Sequence, residues 1–235
     1  MMIELRGVTK EYGKRKALDD IDITFQKGKV YGILGPNGSG KSTMMKLIAG
    51  LVFPTKGKIY VNNKQVNRYI AEETAYLASE GMLYPGLTVA QMIDFFSSQY
   101  KDFSVEKANE LLSFLSLDAS QKTGKLSKGQ QGRLKLLLVL SREAPVILLD
   151  EPFLGLDPMV RETIVKGLVS FIDFGEQTVI IATHEITEIE PVLEEAIILS
   201  EGKVQNYCQV EELREEKGLS VLQWLKSSYK EGTGR

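Results

Sequence analysis

One octapeptide constrains this chain more than any other feature. Gly35-Pro36-Asn37-Gly38-Ser39-Gly40-Lys41-Ser42 fits the pattern G-x-x-x-x-G-K-[ST] at every fixed position. Glycines let successive backbone N–H groups turn inward and approach phosphate oxygens. A helix starting at Lys41 adds its positive end to the same place. The pattern needs a strand before it and a helix after it, and both are legible. The apolar run Val30-Tyr31-Gly32-Ile33-Leu34 precedes it, and a helical pattern runs from Lys41 to Gly50. The bland alternative is an ordinary glycine-rich strand–helix turn, and the satisfied context argues against it. The candidate phosphate contacts are Gly35, Pro36, Asn37, Gly38, Ser39, Gly40, Lys41, Ser42 and Thr43. Lys41 is placed to reach the β- and γ-phosphates, and Ser42 to ligate Mg²⁺.

Further runs, Val146–Leu149, Thr178–Ala182 and Ala196–Leu199, are continuous rather than alternating. Strands buried on both faces read this way, as in a parallel sheet covered by helices. Candidate helices such as Met159–Asp173 separate them, which predicts a doubly wound α/β core. Ile3–Val8 and Ile21–Phe25 alternate instead, and with Lys58–Val61 they predict an antiparallel layer with one wet face. From Thr88 to Arg142 the helical period dominates. Thr88 and Gln91 form a capping-box pattern for a helix to about Tyr100. Ser104 starts another helix, expected to run through Leu117. The expectation is one domain over the whole chain, with a core of about residues 1–87 and 143–235 and a helical insertion of about residues 88–142.

Asp150-Glu151 follow the apolar strand Val146–Leu149. Carboxylates at the C-terminal end of a buried strand sit at the ligand edge of an α/β sheet. There Asp150 would hold Mg²⁺ and Glu151 would act as general base for an attacking water. A solvated acidic pair is the alternative, and the phosphate loop earlier in the chain argues against it.

Composition excludes several classes. The chain has 235 residues, 29 Lys plus Arg against 31 Asp plus Glu, and a net charge of −2. That balance argues against attachment to nucleic acid or anionic lipid by bulk charge. No apolar run approaches the length of a membrane span, and the N-terminus lacks the apolar segment of a signal peptide. The single cysteine, Cys208, excludes an internal disulfide and a Cys-rich zinc site.

Between the two sites lies Leu126-Ser127-Lys128-Gly129-Gln130. Here the sequence resembles the ATPase subunits of bacterial ABC transporters, whose signature is L-S-G-G-Q. Lys128 replaces the first of the two glycines. Ser127 also reads as the N-cap of an apolar helix through Leu140. The resemblance continues in order along almost the whole chain. Tyr12 matches the aromatic that stacks on adenine. Gly155-Leu156-Asp157 matches the loop after the acidic pair. His184, the only histidine, matches the histidine after the next strand. One position departs: where the family usually places a glutamine that contacts Mg²⁺ and water, this chain has Ser79, with Glu80 beside it.

The resemblance implies a P-loop core with ATP and Mg²⁺ as cofactors, and Glu151, His184 and Lys41 as the catalytic set. It implies a head-to-tail dimer, homo- or heteromeric, in which Ser127, Gly129 and Gln130 of one copy complete the site of the other. It also implies a separate transmembrane permease as partner, docked near Ser79–Gly86, and a place on the cytoplasmic side of the membrane. Tyr84, Phe95 and Phe96 are compatible with that docking or with core packing. The stretch Met92–Phe103 looks more like the exporter branch. Two alternatives stay open: a non-transport ABC ATPase, and a regulatory subunit that hydrolyses weakly because of Ser79 and Lys128. Lys14-Arg15-Lys16 reads as a wet hairpin tip, close enough to Tyr12 to add charge near the nucleotide. The last segment predicts a solvated helix over Glu211–Lys217 and a short amphipathic helix carrying Leu219, Leu222, Leu225 and Tyr229 beside Trp224, then a frayed tail from Gly232.

Overall fold

The computed structural model describes residues 2–79 and 81–232. The elements follow in chain order: β1 (Ile3–Tyr12), β2 (Arg15–Phe25), β3 (Val30–Leu34), α1 (Lys41–Ile48), β4 (Lys56–Val61), β5 (Lys64–Gln65) and β6 (Thr74–Leu77). Then come α2 (Val89–Gln99), α3 (Val105–Phe114), α4 (Lys128–Leu140), β7 (Val146–Asp150), α5 (Pro158–Phe171), β8 (Thr178–Thr183) and α6 (Ile186–Ile189). The chain closes with β9 (Glu195–Ser200), β10 (Lys203–Gln209), α7 (Val210–Lys217) and α8 (Val221–Gly232).

Two sheets form. The outer one is antiparallel, in the order β2-β1-β4-β5. The central one has the order β10-β9-β3-β8-β7-β6, with parallel pairing from β9 through to β6. The continuous apolar runs are explained by two cores rather than one. Along β8, Val179 and Ile181 face one cluster while Ile180 and Ala182 face another. β7 splits the same way, Ile147 and Leu149 against Val146 and Leu148. Successive side chains point to opposite faces, so a strand covered on both sides needs an apolar residue at every position. One cluster takes α2, α3, α4 and α5; the other takes α1 and the antiparallel sheet.

Helix starts fall where the caps are. Thr88 and Gln91 form a reciprocal capping box at α2, Ser104 caps α3, and Ser127 and Gln130 form a second capping box at α4. The end of α3 differs from expectation. It stops at Phe114, short of Leu117, because Ser116 turns left-handed at φ 51 and Arg133 Nη1 donates to the Leu115 carbonyl at 2.8 Å. β10 carries no apolar signal; its residues are mostly exposed, and it forms because its backbone pairs antiparallel with β9. The apolar residues of the last segment pack on the core as expected. Val221 and Trp224 are the buried residues of the last helix, whereas Leu219, Leu222 and Leu225 rest against the core. The side chain of Tyr229, the residue Glu80 and residues 233–235 lie outside the described set.

Candidate nucleotide site

The phosphate loop spans the gap between the end of β3 and the start of α1. Its glycines are there for space as well as torsion. Gly35 adopts φ 155, and a Cβ on it would lie 2.1 Å from the Leu199 carbonyl oxygen. Gly40 caps α1 at φ 112, where a Cβ would meet the Ala17 oxygen at 2.5 Å. The first intrahelical bond runs from Met44 N to Gly40 O. The amides of Lys41, Ser42 and Thr43 therefore precede the helical ladder and face an incoming anion.

Lys41 is 5% exposed. Its ammonium donates to the Gly35 carbonyl at 2.8 Å and the Pro36 carbonyl at 3.3 Å, and lies 3.5 Å from Glu151. Ser42 Oγ donates to Asp150 Oδ1 at 2.9 Å, and Tyr76 donates its hydroxyl to Oδ2 of the same carboxylate at 3.0 Å. Asp150 is fully buried at the end of β7. Burial pushes its carboxyl up, the hydrogen bonds from Ser42 and Tyr76 pull it back, and the neighbouring charge of Glu151 adds to the upward shift. Burial, followed by the Asp150 charge, likewise pushes the Tyr76 phenol up, so it stays a donor.

Glu151 sits in the left-handed region at φ 49, with its amide bonded to the Ala182 carbonyl of β8. That turn aims its carboxylate at two groups. Lys41 stands on one side. On the other, His184 brings Nδ1 to 2.8 Å from Oε2, and its backbone amide lies 3.3 Å from the same oxygen. With Nδ1 protonated the ring donates there, and Nε2 lies 3.9 Å from Glu185 Oε1.

A cleft of about 460 Å³ runs over the loop, lined by Tyr12, Asn37, Gly38, Gly40, Lys41, Ser42, Thr43 and Glu151. Arg15 lines it as well, with Nη2 donating to the Gly38 carbonyl at 3.2 Å. Sequence reasoning left Tyr76 out of the site and gave Arg15 only as part of a hairpin tip that could add charge near the nucleotide. Arg15 reads as hairpin tip, but the turn is only Gly13-Lys14 and β2 already begins at Arg15. Tyr76 gives no local signal beyond its place on the strand next to β7. Ser127, Gly129 and Gln130 are not in the lining of this cleft. They stand at the start of α4, where Gln130 Oε1 accepts from the Ser127 amide in the capping box and Gln130 Nε2 lies 3.5 Å from Gln121 Oε1. The Ser127 oxygen accepts from the Gln130 amide, so its hydroxyl proton remains available to donate.

The lining suits a polyphosphate, with glycine-spaced amides and one buried ammonium; within the same loop, the Ser39 hydroxyl is buried without a hydrogen-bond partner. Mg²⁺ fits the adjacent pair of hard oxygens, Ser42 Oγ and the Asp150 carboxylate. Among the described residues no group of three or more His, Cys, Asp or Glu side chains converges on a metal position. An ion held here would need further oxygen ligands from outside the protein, which suits Mg²⁺.

A family model described as ABC transporter matches residues 18–154. The chain belongs to the ABC transporter family of ATP-binding proteins. It is 30% identical over 217 residues to the ABC transporter ATP-binding protein YtrB of Bacillus subtilis, covering 92% of this chain and 74% of that protein. It is also 30% identical over 220 residues to a probable sulfate/thiosulfate import ATP-binding protein, CysA, of Chlorella vulgaris, covering 91% and 93%. Among solved structures, it matches the dimeric ATP-binding cassette MJ0796 in a post-hydrolysis state bound to ADP and Pi, at TM-score 0.79 and 29% identity, over 88% of this chain and 98% of that one. This is an ABC-type ATPase subunit with the mixed sheet, antiparallel layer and inserted helices expected of it. Among the described residues no helix is long and apolar enough to cross a membrane.

Proposed function

We propose that this ABC ATPase pairs head to tail with a second ATPase subunit, hydrolyses Mg²⁺-ATP between the two, and drives a separate transmembrane permease. The observation that carries the reading is the separation within one copy. Lys41, Ser42 and Glu151 line one cleft, with Asp150 and His184 hydrogen-bonded to Ser42 and Glu151, while Ser127 and Gly129 lie outside that lining at the head of α4. A second copy supplies them across the nucleotide, which makes ATP the glue between subunits. The dimeric form of the MJ0796 cassette supports this.

In this reading Tyr12 stacks on the base, and the loop amides and Lys41 hold the β- and γ-phosphates. Ser42 and Asp150 would hold Mg²⁺, which would supply positive charge against the charge developing on the phosphates. Glu151 orients the attacking water and accepts its proton. His184, fixed by Glu151, stabilises the γ-phosphate region. The weakly hydrolysing alternative rests on Ser79 and Lys128; the close packing of Glu151, His184 and Lys41 supports turnover instead. The division into a core and a helical insertion of about residues 88–142 belongs to the same reading.

The permease places the subunit on the cytoplasmic face of the membrane. Tyr84 is 55% exposed and stacks edge-on against Phe95, which supports docking there. Phe96 instead packs toward Tyr100 and Phe103. For direction we propose export, on the likeness over Met92–Phe103. The CysA relative, named for import, supports the opposite direction, and uptake into inverted vesicles carrying the permease decides between them.

The test is Mg²⁺-dependent ATP hydrolysis against protein concentration, wild type beside Glu151→Gln, with sizing in ATP. Turnover that rises faster than linearly, falls by about a hundredfold or more in the variant, and is replaced there by an ATP-trapped dimer is the expected result. A variant that keeps wild-type turnover rules out the role given to Glu151.

A further inference from the structure

Ser79 stands where the family usually has a longer side chain, and the site geometry gives its hydroxyl no part. The backbone at this point is held from another direction. Lys135 lies about two turns into α4, and its Nζ donates to the Ser79 carbonyl at 3.0 Å and sits 3.4 Å from the Ala78 carbonyl. These carbonyls follow directly on β6, whose last residue, Leu77, pairs with Leu149 of β7. Asp150 ends β7 and Glu151 follows it. A cleft of about 370 Å³ is lined by Ser79, Lys128, Lys135 and Glu151 together.

The other end of β6 is gripped in the same way. Arg142, just beyond the C-terminus of α4, donates to the Thr74 carbonyl at 3.0 Å and the Ala71 carbonyl at 2.7 Å. The helix therefore holds the strand at both ends through cationic side chains bonded to backbone oxygens. Charge-assisted bonds of this kind are shorter and stronger than neutral ones. The N-terminus of the same helix carries Ser127.

We propose that Lys135 is a positioning residue that ties the helix carrying Ser127 to the backbone at Ser79, so that helix and loop move as one body and the loop's place beside Glu151 follows the helix. A bond to a carbonyl is indifferent to the side chain at that position, which accounts for a short serine there. The proposal rests on the head-to-tail reading only for its consequence in the dimer. The tether itself is tested in one copy.

The experiment compares Lys135→Met, which keeps the apolar stem and loses the donor, with Lys135→Arg and Ser79→Ala in the full chain. Amide hydrogen exchange over residues 77–87 reads the tether, and the dimer dissociation constant in ATP, in a Glu151→Gln background, reads the coupling. Lys135→Met is expected to speed exchange and weaken the dimer by about tenfold each, the scale of one hydrogen bond to a charged group. MgATP affinity of the single copy stays within about twofold, Lys135→Arg restores both readouts, and Ser79→Ala moves neither. Wild-type exchange in Lys135→Met overturns the proposal, as does faster exchange with an unchanged dimer, or no recovery with arginine. If Lys135→Met melts early, Lys135→Gln takes its place in the same comparison. Failure of the Glu151→Gln protein itself to dimerise counts against the head-to-tail reading instead, and the exchange result then decides the tether alone.

Discussion

At the scale of single residues, the site turns on how buried polar groups satisfy one another. Asp150 is a carboxylate without solvent, and each oxygen has one donor, Ser42 on one side and Tyr76 on the other. If Ser42 were to ligate a metal ion, Tyr76 would remain as the donor that keeps the carboxylate aimed. Tyr76→Phe removes that donor and little volume. The expected result is a loss of Mg²⁺ affinity of about tenfold or more, the scale seen when groups behind metal ligands are removed, with metal-free ATP binding unchanged; titration with Mn²⁺ followed by EPR measures it. Unchanged Mn²⁺ affinity would leave Tyr76 as packing only. The residues legible in the sequence were those whose spacing the chemistry itself dictates: the loop from Gly35 to Ser42, and the acidic pair at a strand end. Tyr76 was not, because strand pairing brings it to the site and leaves no local pattern; Arg15 was legible only as one of three basic residues close to Tyr12.

Among the elements, the helix starts were the most legible feature, because a cap is a local contract between a side chain and the amide three residues on. Thr88 and Ser127 make the same capping box, one at α2 and one at α4. That identity separates structure from function. Thr88→Ala and Ser127→Ala should each cost about 1 kcal/mol of stability, read from urea midpoints. Only Ser127→Ala should weaken the ATP-dependent dimer, because only Ser127 is proposed to face a partner's nucleotide. Equal effects on the dimer would reduce Ser127 to a cap. Helix ends and the edge strand were less legible. α3 is stopped by Arg133 reaching across from α4, and β10 exists because β9 offers an edge, so neither has its cause within its own sequence. β10 carries Cys208, whose thiol burial pushes up to about 11. The thiolate is the reactive form, so alkylation at pH 8 should run on the order of a hundredfold slower than for a free thiol, rising with pH, as mass spectrometry of the iodoacetamide adduct would show. Rapid labelling at pH 8 would mean that the edge strand opens.

For the whole molecule, the central sheet divides two cores that do different work. The one under the antiparallel layer holds α1 and so the phosphate loop; the other holds the inserted helices and so Ser127. The division was legible in the continuous apolar strands. The joint between insertion and core was not, because it depends on one cation reaching several backbones. Arg142 is 3% exposed. Besides the carbonyls of Thr74 and Ala71, it pairs with Asp102 at 2.8 Å and packs over the Tyr100 ring at 3.9 Å. Those partners come from the start of β6 and from the link between α2 and α3, so one guanidinium fastens the insertion to the sheet. Arg142→Met keeps the stem and strands the carbonyls and the carboxylate. The expected cost is about 3 kcal/mol, at the lower end for a broken buried pair because Asp102 is partly solvated. If the insertion and core unfold as one unit, the urea transition shifts without changing slope. If Arg142 is the main fastening between them, the slope falls as well, since the insertion then melts before the sheet and the transition is no longer two-state. Hydrogen exchange across α2 and α3 separates the two outcomes, and accelerated exchange confined to those helices would identify Arg142 as the hinge pin of the inserted helices.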